Sequence, residues 1–296
     1  MIREVAWRLF SGEYNDATLE LAGAGDRAPS YVVTPLGAKV NRVFVVGVVT
    51  DVENVGSEMQ PMWRARVADP TGTFHLYAGQ YQPEASAVLS KLKPPMFGAI
   101  TGKSRTYTPD SGTVYTSIRP ERIKEVDGAL RDYWILEACR SLKKRLEAMA
   151  EAQRMDPPTK DALMKLGVRE PLADGIVQAV AHYGKADLAR YTAMLAEALR
   201  YLLPEFREDR SPEAAAAQVE PAPAPEREPE PDDGKETAVL EVITSLDKDG
   251  KGAPWDAILT ASKAKGIAKE DLEEAINRLL DKGLVYEPVL GRMKRI

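Results

Sequence analysis

The feature that most constrains this chain is the stretch Arg42–Val126, in which five strand-like runs follow one another with one short helical run between the third and the fourth. The first, Arg42–Val52 (RVFVVGVVTDV), is rich in β-branched residues that suit a pleated, half-buried surface. Gly47 falls where a strongly coiled strand needs a bend. The second, Met62–Asp69, closes in the turn Asp69-Pro70-Thr71-Gly72. The third is Thr73–Gly79. Pro83–Leu92 opens with a proline and a glutamate, as helix first turns do. The fourth strand, Phe97–Lys103, leads through a loop to the fifth, Thr113 to Val126.

That order predicts an all-β oligonucleotide-binding (OB) barrel over residues 42–126, a fold that takes oligonucleotides on its second and third strands and in the loops after the first and fourth. Residues 1–41 read as an N-terminal extension that packs on the barrel or on a partner subunit. Val5, Ala6, Leu9 and Phe10 predict a short amphipathic helix over Ile2–Phe10, and Ser30–Thr34 predicts an extra strand.

From Asp127 the period changes from two to 3.6. Leu130, Trp134, Ala138, Leu142, Leu146 and Met149 share one helical face, and Asp156-Pro157-Pro158 stops that helix. Further helices are expected over Thr159–Leu166, Leu172–His182 and Lys185–Leu203, with Gly184 as a terminator. These make an α-helical region, residues 127–203. Residues 204–236 are different in kind, with eleven acidic residues against four basic and repeated proline. Such a segment predicts a disordered, extended linker. The final block, residues 237–296, offers helices at Thr237–Leu246, Trp255–Lys265 and Lys269–Lys282, followed by a hairpin from Gly283–Tyr286 and Arg292–Ile296. That is the pattern of a winged helix.

A formal charge of −5 argues against a polycation that coats duplex DNA, but leaves room for a local basic groove. One cysteine, Cys139, and two histidines, His75 and His182, provide neither a disulfide framework nor a multi-cysteine zinc site. No metal or other cofactor is expected. Neither an apolar run of about 18 residues nor a secretion signal is visible, so an intracellular, cytoplasmic protein associated with the nucleoid is expected. No phosphate loop, dinucleotide fingerprint or nucleophile elbow occurs, which points away from an enzyme.

Strand alternation sorts the binding candidates. Trp63, Ala65 and Val67 share one face of the second strand; Arg64 and Arg66 share the other. Trp63, in step with Val67, reads as core before it reads as a base-stacking platform. With Phe74 and Leu76 in the core, His75 and Tyr77 lie beside the two arginines on the outer surface. Guanidinium groups pair with phosphates, and aromatic faces stack on unpaired bases for about 1–3 kcal/mol each. The bland reading of the same residues is a solvated strand face with one tyrosine. In the loop between the fourth and fifth strands, Lys103, Arg105 and Tyr107 alternate ahead of the tip Pro109–Gly112, with Tyr115 and Arg119 as weaker candidates. Asp51, Glu53 and Glu58 place acids and no cation in the loop after the first strand, so a groove here is one-sided. Single-stranded DNA is the expected ligand.

The third helix of the terminal block begins Lys269-Glu270-Asp271-Leu272-Glu273-Glu274, and four carboxylates at the end that would enter a major groove repel phosphates. Acidic first turns also stabilise helix N-termini. Protein docking on a tether is therefore the expected role of this block, although Arg292, Lys294 and Arg295 leave a backbone contact open.

The run Tyr77-Ala-Gly-Gln-Tyr81-Gln-Pro-Glu-Ala85, the text of the first strand, and Arg119-Pro-Glu-Arg122 followed by Asp132-Tyr-Trp134 resemble the archaeal replication-protein-A-associated family over roughly residues 1–205. The domain order is similar to that of the middle subunit of replication protein A. The resemblance implies an accessory subunit working in replication and repair beside a larger single-strand-binding protein. It transfers no contact residues. The competing expectations are a protein scaffold without intrinsic DNA binding and a regulator that reads duplex DNA.

Overall fold

The computed structural model describes residues 5–21, 30–56, 61–108, 112–203, 211–217, 233–247, 252–265, 267, 272, 275–276, 279, 285–289 and 291–295. These fall into two compact units, the second built from residues within Glu228–Ile296.

In the first unit, β-branched and aromatic runs form a five-stranded closed barrel. A short helix, α1 (Ser11–Tyr14), and three small strands, β1 (Leu19–Leu21), β2 (Tyr31–Val33) and β3 (Lys39–Val40), precede it. The barrel strands are β4 (Arg42–Asn54), β5 (Trp63–Asp69), β6 (Gly72–Ala78), β7 (Met96–Tyr107) and β8 (Tyr115–Glu125), with α2 (Pro83–Leu89) between β6 and β7. Around the barrel the order is β4-β5-β6-β8-β7, and β4 pairs with both β5 and β7. One parallel bridge, Leu76 to Ile118, joins β6 to β8. The architecture is OB-like, as the sequence predicts.

The barrel core follows the alternation. Val43, Val45, Val67, Phe74, Leu76, Ile100 and Ile118 are buried in one cluster, and burying each such large side chain stabilises by about 1.5–3 kcal/mol. Trp63 is half-buried against that cluster, on the core side as expected. Gly47 lets β4 cross β5 closely, since a Cβ there would lie 2.3 Å from the Ala68 carbonyl oxygen.

The N-terminal segment departs from its expectation. Residues 5–10 are not helical; Trp7 instead bridges Val43 in parallel, extending the edge of β4. The apolar spacing that suggested a helix serves an extended strand end, because Leu9 and Phe10 are driven into the barrel core. The helix that does form, α1, is anchored by the buried Asp69 carboxylate, which accepts from the Ser11 amide at 2.7 Å and the Ser11 hydroxyl at 2.8 Å. Tyr14 reaches into the barrel end and donates to the Ser117 carbonyl at 2.6 Å. The strand expected at Ser30–Thr34 is present as β2.

After the barrel come α3 (Gly128–Ala152), α4 (Lys160–Lys165), α5 (Glu170–Tyr183) and α6 (Leu188–Arg200), matching the helices read from the 3.6 period. Asp127 caps α3 by accepting from the Leu130 amide, and Gly184 ends α5 with φ of +71°. Trp134 is buried and donates its indole N–H to the Phe44 carbonyl at 2.8 Å, tying α3 to the barrel. A buried ion pair strengthens that tie: Arg145 of α3 meets Glu13 of α1 at 2.5 Å, with the two side chains 1% and 0% exposed.

Within the segment read as linker, α7 (Pro212–Ala217) is helical, and Ala216 packs on Val48, Ala68 and Phe97 of the barrel. The four successive alanines explain this, since alanine is the best helix former and makes a small apolar face. Most other linker positions lie outside the described residues.

The second unit contains α8 (Asp233–Leu246), β9 (Ala253–Pro254), α9 (Trp255–Ala264), β10 (Val285–Val289) and β11 (Arg292–Arg295). Its small sheet has the order β10-β11-β9. Leu272, Ala275, Ile276 and Leu279 are helical and buried with Val239, Ile243 and Ile258 in a separate core. The acidic first turn around Glu270–Glu274 lies outside the described residues, apart from Leu272.

Candidate nucleic-acid interface

The outer surface of β5 and β6 carries Arg64, Arg66, His75 and Tyr77, as alternation predicts, but it is not a free basic patch. β4 runs two residues further than its sequence suggested, and a register shift between Val49 and Asp51 turns Asp51 and Glu53 onto this face. Cross-strand rows result, Asp51–Arg66–His75 and Glu53–Arg64–Tyr77. Arg66 Nη2 donates to Asp51 at 3.1 Å, and Arg64 Nε donates to Glu53 at 2.7 Å. The acids expected in a loop therefore neutralise both arginines.

His75 and Tyr77 are also not open platforms. They are 7% and 1% exposed. Alternation tells which side of a strand a residue occupies and nothing about what covers that side. Burial holds the His75 imidazole well below its ordinary value, at about 4, with Arg66 and Arg64 adding like-charge repulsion. A tyrosine buried this completely offers no ring face for stacking.

The β7–β8 hairpin is different. Thr101, Lys103, Arg105 and Tyr107 alternate outward along β7, while Ile100 faces the core. Lys103 and Arg105 are exposed and have no carboxylate partner among the described residues. Register places Tyr107 opposite Tyr115, Arg105 opposite Ser117 and Lys103 opposite Arg119. On the other side Lys103 lies opposite Arg42. Three cations, Arg42, Lys103 and Arg119, thus form one row across β4, β7 and β8. Glu121 offsets part of that charge, 2.5 Å from Arg42. The exposed Arg122, opposite Thr101, extends the patch. The row concentrates positive charge on one outward face of the sheet.

Sequence reasoning found Lys103, Arg105 and Tyr107 but missed Arg42 and Arg122 and gave Arg119 little weight. Pairing between distant strands creates the row, and no local pattern announces it. The hairpin tip at 109–111 lies outside the described residues.

Other candidate chemistry is structural. Cys139 is buried, which pushes its thiol up to about 11, away from reactivity. His182, at the end of α5, lies 3.2 Å from the Thr18 hydroxyl. Among the described residues, no group of three or more His, Cys, Asp or Glu could hold a metal ion. Nor is any helix among them long and apolar enough to cross a membrane.

No protein-family model matches the chain, and no curated protein matches it. Among solved structures it is similar to the OBody NL8 bound to hen egg-white lysozyme, at 18% identity and a TM-score of 0.25 over 29% of this chain and 93% of that one. It is also similar to the second single-stranded DNA-binding protein of Mycobacterium smegmatis, at 13% identity and a TM-score of 0.25, covering 29% of this chain and 86% of that one. The small single-stranded DNA-binding protein of Streptomyces coelicolor is 21% identical, with a TM-score of 0.22, over 30% of this chain and 95% of that one. The OB-like assignment rests on strand order and barrel closure.

Proposed function

We propose that this chain binds single-stranded DNA through the outer face of β4, β7 and β8. The observation that carries this reading is the row of directly opposed cations Arg42, Lys103 and Arg119, flanked by Arg105 and the Tyr107–Tyr115 pair. Phosphates spaced along a flexible strand pair with cations arranged in a row, and the two tyrosines offer stacking faces at its end. The protein is read as a non-catalytic accessory subunit of a replication-protein-A-like complex. In that reading the second unit is a winged helix that recruits replication and repair proteins, which the helix, short strand, helix and terminal hairpin support.

The test is the affinity of the full chain for fluorescent oligo-dT and for a duplex of equal length at low salt. Single-strand binding at least tenfold tighter than duplex binding is expected. One observation favours a second reading, a protein scaffold: the arginines of β5 are neutralised by Asp51 and Glu53. No measurable affinity for oligo-dT at low salt would decide for the scaffold.

A further inference from the structure

Beside the barrel the first unit holds a cleft of about 1860 Å³ between the segment Val5–Arg8, with Tyr31 and Lys39, and the surface of α3 and the turn into α5. Small-molecule sites run to roughly 300–1,000 Å³, so this space suits a chain better than a metabolite. Its charge is predominantly positive. Lys144 and Arg169 are exposed on its walls with no carboxylate partner among the described residues. Arg140 and Arg154 pair with Glu137 and Glu151, each three residues back along the chain. Exposed pairs of that kind are weak and yield readily to a phosphate.

Arg8 links the cleft to the barrel face. Arg8 lines the cleft and places its guanidinium 5.3 Å from the centre of the Phe44 ring. Phe44 lies opposite Thr101, on the same outward face of β4 and β7 as Arg42 and Lys103. Arg8 thus stands between the outward face that carries Arg42 and Lys103 and the cleft lined by Lys144 and Arg169. Resting on the single-strand reading above, we infer that this cleft holds the continuation of the bound strand, with its sugar–phosphate backbone on Arg8, Lys144 and Arg169. The footprint is then longer than the barrel face alone, and the helices after the barrel take a direct part in binding.

The experiment uses the full chain and oligo-dT of 8, 16 and 30 nucleotides. The double variant Lys144→Ala and Arg169→Ala is expected to bind the 8-mer within twofold of the parent and the 30-mer about tenfold more weakly. Its salt slope on the 30-mer falls by about 0.7 for each phosphate that is no longer neutralised. The charge-retaining pair Lys144→Arg and Arg169→Lys restores most of the affinity, which separates loss of charge from loss of folding. Equal losses at every length, or no loss at any, overturn the inference while leaving the barrel reading intact. Absence of binding by the parent chain at every length overturns both. Variant-sensitive binding of an acidic peptide of residues 220–233, with the 30-mer indifferent to the substitutions, assigns the cleft to protein and overturns the inference.

Discussion

Arg64 and Lys103 are both strand cations pointing out of the barrel, yet their surroundings give them different work. Arg64 is matched by Glu53 across β4 and lies against a buried tyrosine, whereas Lys103 sits between Arg42 and Arg119. Arg64→Ala and Arg66→Ala are expected to lower stability by about 1 kcal/mol each, since these pairs are partly exposed, and to change oligo-dT affinity less than twofold. Denaturant unfolding and anisotropy on the same samples check both parts. His75 adds a pH dependence. Its folded value of about 4 lies below the ordinary 6.5, so the unfolded chain takes up a proton first as pH falls. The corresponding stability is fully present above about pH 6.5 and is lost as pH drops toward 4, up to about 3 kcal/mol. Substituting His75→Leu flattens that part of the stability profile; an unchanged profile would mean the imidazole is not held neutral by burial.

At the scale of elements, the barrel strands were legible because side-chain period and β-branched content act locally. Trp63, Ala65 and Val67 face inward and Arg64 and Arg66 outward, as alternation requires. The helices from Asp127 onward were legible for the same reason. What could not be read was anything set by pairing across the barrel: the shift at Asp51, which places Asp51 and Glu53 beside the arginines, and the register that lines up Arg42, Lys103 and Arg119. The segment before Ser11 departs from its expectation because Val5, Ala6, Leu9 and Phe10 satisfy helical spacing, while the barrel buries Leu9 and Phe10 and leaves Val5 exposed. A buried tie between elements is also non-local. Glu13 of α1 and Arg145 of α3 are 132 residues apart and both are buried, with the Thr34 hydroxyl donating to the same carboxylate at 2.9 Å. Removing one member leaves an uncompensated buried charge, so Glu13→Ala is expected to cost about 3–5 kcal/mol. Replacing the pair together, Glu13→Leu with Arg145→Met, should recover most of that stability in thermal unfolding. A single variant as stable as the parent would remove the pair from any structural role.

At the scale of the whole molecule, the two units have separate cores, and the basic row and the cleft both belong to the first. A net charge of −5 over the chain therefore coexists with a concentrated positive strip. Attraction for a polyanion depends on that placement and on salt, not on the total. The most direct test is the salt dependence of oligo-dT binding by the full chain, compared with a variant carrying Lys103→Ala, Arg105→Ala and Arg119→Ala. The expected result is a linear fall of log K with log salt for the parent. In the variant the slope should be smaller by about 0.7 for each phosphate left without its cation, with affinity reduced at least tenfold at low salt. Binding of the same strength and slope in both proteins would contradict the assignment of single-strand binding to the β4–β7–β8 face.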